Sequence, residues 1–415
     1  ASISIKVYPS TNSPGVRAVG DLSSTDATTS KGLVAESTIH QLEVWVFSGD
    51  VLTGYGSKTF ANATEVREVT NVEAIAGSST IVVIANANIG IKASKADLLN
   101  ESKGLPPVII HENGNPINGL VMTAEPITAT LMAGNNYYGY TDAEFNAKEA
   151  VDATKKTHLE DGGVALPLVR VNARVAIVGA TLKYGDIPAT QKVLFDNLRN
   201  VEVAMFNVPE KTNLFYARAT PSAADLAKNE AFKYGAKWPS PDFSYVGVSD
   251  ATPATTTSLF EGPLTAIALP TPPATDQALV VNTNAPYFYV NENTSTVVGD
   301  KTATAPSEKM IIVLRAQPYL EESAVTTLEG LYTDDEGYTY YPVWVNLDGI
   351  ANKSGVIGNG NVYRNTQYNV TLTIYGLGRP SIDEVDKAFL DVKVEVKAWD
   401  VVNQNVVWGT PPVAI

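Results

Sequence analysis

The sequence predicts a mainly β protein, built as two consecutive β-sandwich domains with short peripheral helices. Three observations carry that expectation. Period-2 alternation is clearest near the C-terminus, where Leu390, Val392, Val394 and Val396 face one way and Asp391, Lys393, Glu395 and Lys397 the other. Similar runs recur along the chain, bounded by Gly, Pro and Asn. The length of 415 residues, with 44% apolar side chains, exceeds one ordinary sandwich and supplies two buried cores.

In the first half, Ile3, Ile5 and Val7 alternate with Ser2, Ser4, Lys6 and Tyr8. That pattern predicts a strand about 20 Å long at ~3.3 Å per residue. From Pro9 to Lys31 the chain is rich in Ser, Thr, Gly and Pro, too polar to pack. Within it, spacing alone makes Arg17 a solvated linker arginine. Ile39 to Gly56 reads as a strand, a Gly-containing turn and a return, and Ser79 to Ile89 as a buried strand. Ala93 to Asn100 is an expected short helix. Leu120 to Tyr140 gives two more strands, broken at Pro126 and at Ala133–Gly134–Asn135–Asn136. The polar stretch Asp142 to Gly163 reads as a loop or weakly helical connector, with the domain boundary near Gly163.

The second half opens on a long apolar run, Leu166 to Leu182, whose Arg170 and Arg174 read as paired structural arginines at a domain junction. Asp186 to Asn200 is an expected helix with Pro188 near its start. Val201 to Val208 is a strand ended by Pro209, and Ser222 to Gly235 a second expected helix. Asp250 to Asp276 is a Thr/Pro-rich surface loop. Ala285 to Glu292 and Glu308 to Ala316 are strands, and Leu331 to Val345 a hairpin turning at Asp334–Asp335–Glu336–Gly337. Tyr368, Val370, Leu372 and Ile374 alternate until Gly376 and Gly378 end the run. Val401 to Ile415 is an extended tail containing Pro411 and Pro412, with no evident partner earlier in the chain.

The chemistry is read by exclusion. Acids outnumber bases 44 to 30, a net charge of −14, which argues against nucleic acid or an anionic membrane as partner. Such a mutually repelling exterior suits a secreted or cell-surface protein. Without cysteine there is no disulfide, thiolate metal site or Cys nucleophile. No run of about 18 apolar residues is long enough to span a membrane as a helix. His40, His111 and His158 lack a second His at ligand spacing, and Asp334 to Glu336 lacks the alternating acids of a calcium loop. GxSxG, GxxxxGK[ST] and a GxGxxG after a strand are all missing. The expectation is therefore a non-enzyme with no catalytic residues, no metal and no cofactor.

The C-terminal elements RNTQY (Arg364 to Tyr368) with its following VTLTI strand, and KAWDVVNQNVVW (Lys397 to Trp408), resemble the fimbrillins, the FimA-type subunits of type V pili in Bacteroidales. Similar fragments run in order upstream: IVVIANANI (Ile81 to Ile89), LVMT (Leu120 to Thr123), LPLVRVNARVAIV (Leu166 to Val178), MFNVPEKTNLF (Met205 to Phe215) and YTYYPVWVN (Tyr338 to Asn346). The resemblance implies two consecutive Greek-key (transthyretin-like) β-sandwich domains, divided as a removable leader strand 1–17, an N-terminal domain 18–163, a C-terminal domain 164–400 and a C-terminal extension 401–415. It implies cleavage of the bond between Arg17 and Ala18 by an arginine-specific maturation protease, which releases an edge strand carrying Ile3, Ile5 and Val7. The vacated edge is a template for another chain's strand. The extension is the expected donor, with Val406, Trp408, Val413 and Ile415 as groove-filling side chains; the alternative is a strand completing its own sandwich. Further implied are an outer-membrane lipoprotein precursor with its signal peptide already gone, a homopolymer of pilin subunits at the cell surface, and host or bacterial surface receptors. The alternatives are a tip or anchor subunit of the same pilus, or a surface glycan-binding lipoprotein using Tyr338 to Trp344 as an aromatic platform.

Overall fold

The computed structural model describes residues 1–9, 38–61, 65–104, 111–112, 115–116, 120–148, 155–159, 163–187, 189–206, 208–209, 211–215, 232–234, 246–247, 276–280, 287–293, 309–319, 328–346, 360–380, 389–391 and 400–408. It is mainly β. The first half contains β1 (Ser2–Pro9), β2 (Gln41–Ser48), β3 (Val51–Thr59), β4 (Glu68–Glu73), β5 (Gly77–Ala85), β6 (Ser102–Gly104), β7 (His111–Glu112), β8 (Asn115–Pro116), β9 (Met122–Thr123), β10 (Ile127–Leu131), β11 (Asn135–Tyr138), β12 (Lys156–His158) and β13 (Leu166–Arg170). Two short helices punctuate it, α1 (Lys95–Leu99) and α2 (Asp142–Ala147). Ten of these strands form one connected sheet in the order β12, β11, β1, β13, β9, β5, β2, β3, with β4 also on β1 and β10 also on β5.

The core explains the pattern of side chains. Ile3, Ile5 and Val7 pack with Leu42, Val44 and Val46 of β2 and with Val69, Val72, Ile81, Val83, Leu166 and Leu168. β2 is buried on both faces, because Trp45 and Phe47 join a second cluster with Leu98 of α1, Val171 and Leu214. That is why its apolar run is continuous and not alternating. Glu43 is fully buried in this strand and is satisfied by the backbone N–H groups of Ile89 and Gly90 and by the Tyr55 hydroxyl.

The second half contains β14 (Asn172–Leu182), α3 (Ala189–Lys192), β15 (Asn197–Phe206), β16 (Val208–Pro209), β17 (Lys211–Asn213), β18 (Phe232–Tyr234), β19 (Val246–Gly247), β20 (Gln277–Val280), β21 (Tyr287–Asn291), β22 (Ile311–Tyr319), β23 (Thr339–Trp344), β24 (Thr366–Ile374), β25 (Phe389–Asp391) and β26 (Asp400–Trp408). One sheet runs β20, β14, β24, β26, β25 with β21 also on β14, and a second runs β19, β15, β22, β23. Val175, Ile177, Val370 and Leu372 from the first sheet meet Val203, Met205, Ile312, Leu314 and Val343 from the second in a single large core.

Several sequence expectations are corrected here. The Asp186 to Asn200 helix is only a 3-10 turn at Tyr184–Asp186 and the four-residue α3; β15 starts at Asn197 because Leu198 and Val203 are needed in the core. Within the second expected helix, Phe232–Tyr234 is strand β18. Asp142 to Gly163 holds both α2 and β12, and Asn135 and Asn136 belong to β11. The Leu331 to Val345 hairpin has one strand arm, β23, which pairs with β22 while residues 328–338 form its turns. β13 pairs with β1 and β9 of the first-half sheet before β14 enters the second-half sheet.

Candidate functional site

The N-terminal strand occupies a slot. Ile3 and Ile5 are fully buried and Val7 nearly so. Over residues 2–6 the strand lies antiparallel to β4, and over residues 2–5 parallel to β11; over residues 7–9 it lies parallel to β13. It is therefore not an edge strand, as the sequence suggested, but is paired on both sides. It also links the strands β4, β11 and β12 to those that follow β13.

The slot's polar walls recognise backbone and small side chains. The Asn136 side-chain amide donates to the Ser2 carbonyl at 2.9 Å, and Ser2 Oγ donates to Asn135 Oδ1 at 2.7 Å. The Asn71 N–H donates to Ser4 Oγ at 3.1 Å, so the buried hydroxyl is satisfied. Gly139 sits at φ +84 with the Lys6 carbonyl only 2.4 Å from where a Cβ would lie. A side chain there would strain the backbone and push against β1 at once. Over the outer face, Lys6 pairs with Glu144 of α2, and Glu144 with Thr141 forms that helix's capping box. Hydrogen bonding to Lys6 holds the Glu144 carboxyl below its ordinary range. Tyr140 donates to Glu68 Oε2 at 2.6 Å, while burial and that carboxylate push its phenol up.

The C-terminal strand is also internal. β26 runs parallel to β24 through nine successive pairs, from Thr366 opposite Asp400 to Ile374 opposite Trp408. On its other side β25 pairs antiparallel, with Leu390 opposite Val406. Of the tail that lacked an evident partner in the sequence, the described part, residues 401–408, therefore has two.

Between the two strands lies a buried polar junction. Arg364 Nε and Nη2 meet Glu292 Oε2 at 2.8 and 2.7 Å, and the Arg364 N–H donates to Glu292 Oε1 at 2.7 Å. The same guanidinium donates to the carbonyls of Leu214 and Asn213 at 2.9 and 2.7 Å. Those carbonyls belong to the last residue of β17 and the residue after it, and β17 pairs with β6 of the first half. Arg170 and Arg174 are both buried here, and Arg170 Nη1 donates to Asn365 Oδ1 at 2.9 Å.

A family model described as the major fimbrial subunit protein FimA matches residues 1–170, and one described as the FimA4 pilin C-terminal domain matches residues 213–399. The chain belongs to the FimA-type fimbrillins. Among curated relatives, the major fimbrium subunit FimA type-4 of Porphyromonas gingivalis is 27% identical over 406 residues, covering 94% of this chain and 89% of the relative. A FimA type-3 subunit of the same organism is 28% identical over 388 residues, covering 90% of this chain and 86% of the relative. The crystal structure of a fimbrilin from Porphyromonas gingivalis W83 shares the fold, with a TM-score of 0.58 at 21% identity and coverage of 98% and 97% of the two chains.

In this fimbrillin the expected site residues are distributed unevenly. Ile3, Ile5 and Val7 line the slot, and Val406 and Trp408 lie in β26. Arg17, Ala18, Val413 and Ile415 lie outside the described residues. The Tyr338 to Trp344 strip does not present an aromatic face. Tyr340, Tyr341 and Val343 are buried, and the Arg315 guanidinium covers the Tyr338 ring at 3.9 Å from its centroid. Asp334 uses its carboxylate to cap its own turn, accepting from the Glu336 and Tyr338 N–H groups. His158 stacks on Phe145 with 4.6 Å between ring centroids and lies 2.7 Å from the Tyr140 carbonyl. Among the described residues no group of three or more His, Asp or Glu is placed to hold a metal. The sequence reading missed Gly139, Glu144 and the Arg364–Glu292 pair. Only the position of Arg364 within RNTQY hinted at the last.

Proposed function

We propose that this fimbrillin is a structural stalk subunit of a cell-surface fimbria that polymerises by protease-triggered strand exchange and supports adhesion. The observation that carries the reading is β1: a terminal strand, paired on both sides, whose three apolar side chains fill a core they alone can leave. Cleavage between Arg17 and Ala18 by an arginine-specific protease frees it. Burying Ile3, Ile5 and Val7 stabilises by about 5–9 kcal/mol, so an empty slot strongly favours a replacement strand. The donor is the extension 401–415 of another copy. Val406 and Trp408 anchor it to its own subunit through β24, and Val413 and Ile415, two residues apart, enter the neighbour's slot. Pro411 and Pro412 cannot donate backbone hydrogen bonds and suit the start of the inserted strand. Such contacts repeat head to tail without closing and give a filament. Before cleavage the subunit is an outer-membrane lipoprotein precursor. The domain division that fits this role is leader 1–17, two Greek-key sandwiches at 18–163 and 164–400, and extension 401–415.

One observation favours a second reading. β26 completes its own sheet, as it would in a tip or anchor subunit that donates nothing. Limited digestion with an arginine-specific protease, N-terminal sequencing and electron microscopy separate the two. The stalk reading expects a new N-terminus at Ala18 and filaments, and cleaved monomers when 409–415 is deleted. Cleavage at Arg17 that yields only monomers from the full chain points to the tip or anchor role.

A further inference from the structure

β1 shows the slot two faces. Inward, Ile3, Ile5 and Val7 enter the first-half core, and a strand with apolar residues at every second position supplies that face. Outward, Ser2, Ser4 and Lys6 meet a different set of walls.

Ser4 is 2% exposed although alternation turns it away from the core. In the ladder between β1 and β4, Ile3 lies opposite Val72 and Ile5 opposite Val69, so Ser4 alone faces two residues, Thr70 and Asn71. This β-bulge puts Asn71 in the left-handed region, at φ +57, and aims its N–H at Ser4 Oγ, 3.1 Å away. On its other side Ser4 lies opposite Tyr137 of β11. The Tyr137 ring is buried edge-on against Tyr140 and Phe145, with 5.5 and 5.6 Å between centroids. β4 has no room to retreat, because a Cβ on Gly56 of β3 would stand 2.6 Å from Val72 Cγ2. Site 4 therefore fits a small side chain and offers it one donor.

Two residues on, the surroundings reverse. Lys6 stands opposite Glu68 in β4 and pairs with Glu144 of α2. Glu68 in turn accepts from the Tyr140 hydroxyl and lies 3.4 Å from Lys148 Nζ. Site 6 fits a long cationic side chain that reaches from the strand to a carboxylate.

The inward face cannot fix the register by itself. A slip of one residue turns every side chain over, but a slip of two keeps apolar residues inward. The outward face separates these alternatives. Slipped one way, the strand drives Lys6 between the Asn71 bulge and Tyr137, burying a charge where a hydroxyl now fits. Slipped the other way, it sets Ser4 beside Glu144 and takes the cation from that carboxylate.

We propose that the Asn71 bulge and Glu144 form a register lock, which seats an extended peptide strand so that a small residue fills site 4 and a cation site 6. The lock rests on the strand-exchange reading and sharpens it. Apolar alternation admits a strand to the slot, and these two groups set how far along it comes to rest.

The test uses the subunit cut after Arg17 and lacking 409–415, with fluorescent peptides carrying the sequence of residues 1–9. Binding is read by anisotropy. The Ser4→Val peptide should bind about tenfold more weakly than the unaltered one, since the packed site resists added bulk. Ser2→Val, on the same face but only half-buried, should bind nearly as well as the unaltered peptide. The swapped peptide, Ser4→Lys/Lys6→Ser, should settle two residues further along. A nitroxide on its Ala1→Cys would then come about 7 Å closer to one on Val66→Cys, which is exposed beside the far end of β1. The chain has no cysteine of its own to take the label. Equal binding of the two Val peptides, or a swapped peptide that keeps the original register, overturns the lock and leaves strand exchange standing. If no peptide enters, the unaltered one included, strand exchange falls and the lock is judged in the uncut full chain. There Ser4→Val must lower the melting temperature more than Ser2→Val does, and equal lowering overturns it.

Discussion

β1 and β26 each have neighbours on both sides, yet the neighbours hold them differently. β1 pairs with three strands over eight residues, and its longest unbroken register is the four pairs with β11. β26 makes nine consecutive pairs with a single partner, β24. The N-terminal strand buries Ile3, Ile5 and Val7 and is paired in short registers, while the C-terminal one has a continuous ladder with a single partner. A strand held by alternating apolar side chains in a slot can be replaced by any extended chain offering the same alternation. One held by a long ladder keeps its place and serves as an anchor. Under the strand-exchange proposal this difference suits the two ends of the chain to opposite roles, receiver at the start and donor at the finish.

Three perturbations test that contrast, the largest first. Removing residues 1–17 from a chain that also lacks 409–415 leaves the slot empty. The loss of about 5–9 kcal/mol of burial should abolish the cooperative first-half melt or lower it by well over 10 °C, a shift of about 2–4 °C per kcal/mol being usual for domains of this size. An unchanged melt by circular dichroism would show that the slot closes on its own. Arg364→Ala comes next. It strips the guanidinium from Glu292, whose side chain is 1% exposed, and breaking a buried pair costs about 3–5 kcal/mol. The junction should then loosen, seen as separate melting of the two halves by calorimetry, with β1 still seated. The smallest effect is Lys6→Ala. Its partner Glu144 is largely solvated, so the loss is at most about 1 kcal/mol. Because pairing depresses the Glu144 carboxyl when folded, its contribution is fully present above the ordinary value of 4.5 and fades as pH falls through the lower folded value. Wild type and variant should therefore converge in stability in acid, in melts taken across pH 3 to 7. A gap that persists in acid would remove the ion pair as its cause.

Much of this was readable from local pattern. Ile3, Ile5 and Val7 announced β1 because one face is buried and the other carries Ser and Lys. The β2–β3 hairpin, β5, β14, β22 and β24 followed from period and bounding glycines, and α1 from Ser94 and Asn100 at its ends. What stayed hidden depends on contacts far apart in sequence. β1 looked like an edge strand because its partners β11 and β13 lie more than a hundred residues away. The partners of Asp400–Trp408 could not be read from a run in which Asn403, Gln404 and Asn405 interrupt the apolar pattern. Asp186 to Asn200 looked helical with Pro188 near its start, yet Phe195 and Leu198 lie buried in the second-half core and β15 begins at Asn197. The site showed the same division. The leader's side chains were legible, while Gly139, Glu144 and the Arg364–Glu292 pair exist only once the chain has folded.

The most direct test is hydrogen exchange at the walls of the slot, read on peptides covering Glu68–Glu73 and Asn135–Tyr138. It should be followed in three states: the uncleaved subunit, the cleaved subunit lacking 409–415, and filaments of the cleaved full chain. Strand exchange predicts slow exchange in the first, fast in the second, and slow again in the filaments. Filaments whose slot walls exchange as fast as those of the cleaved, tail-less subunit would show that the copies join by some other contact.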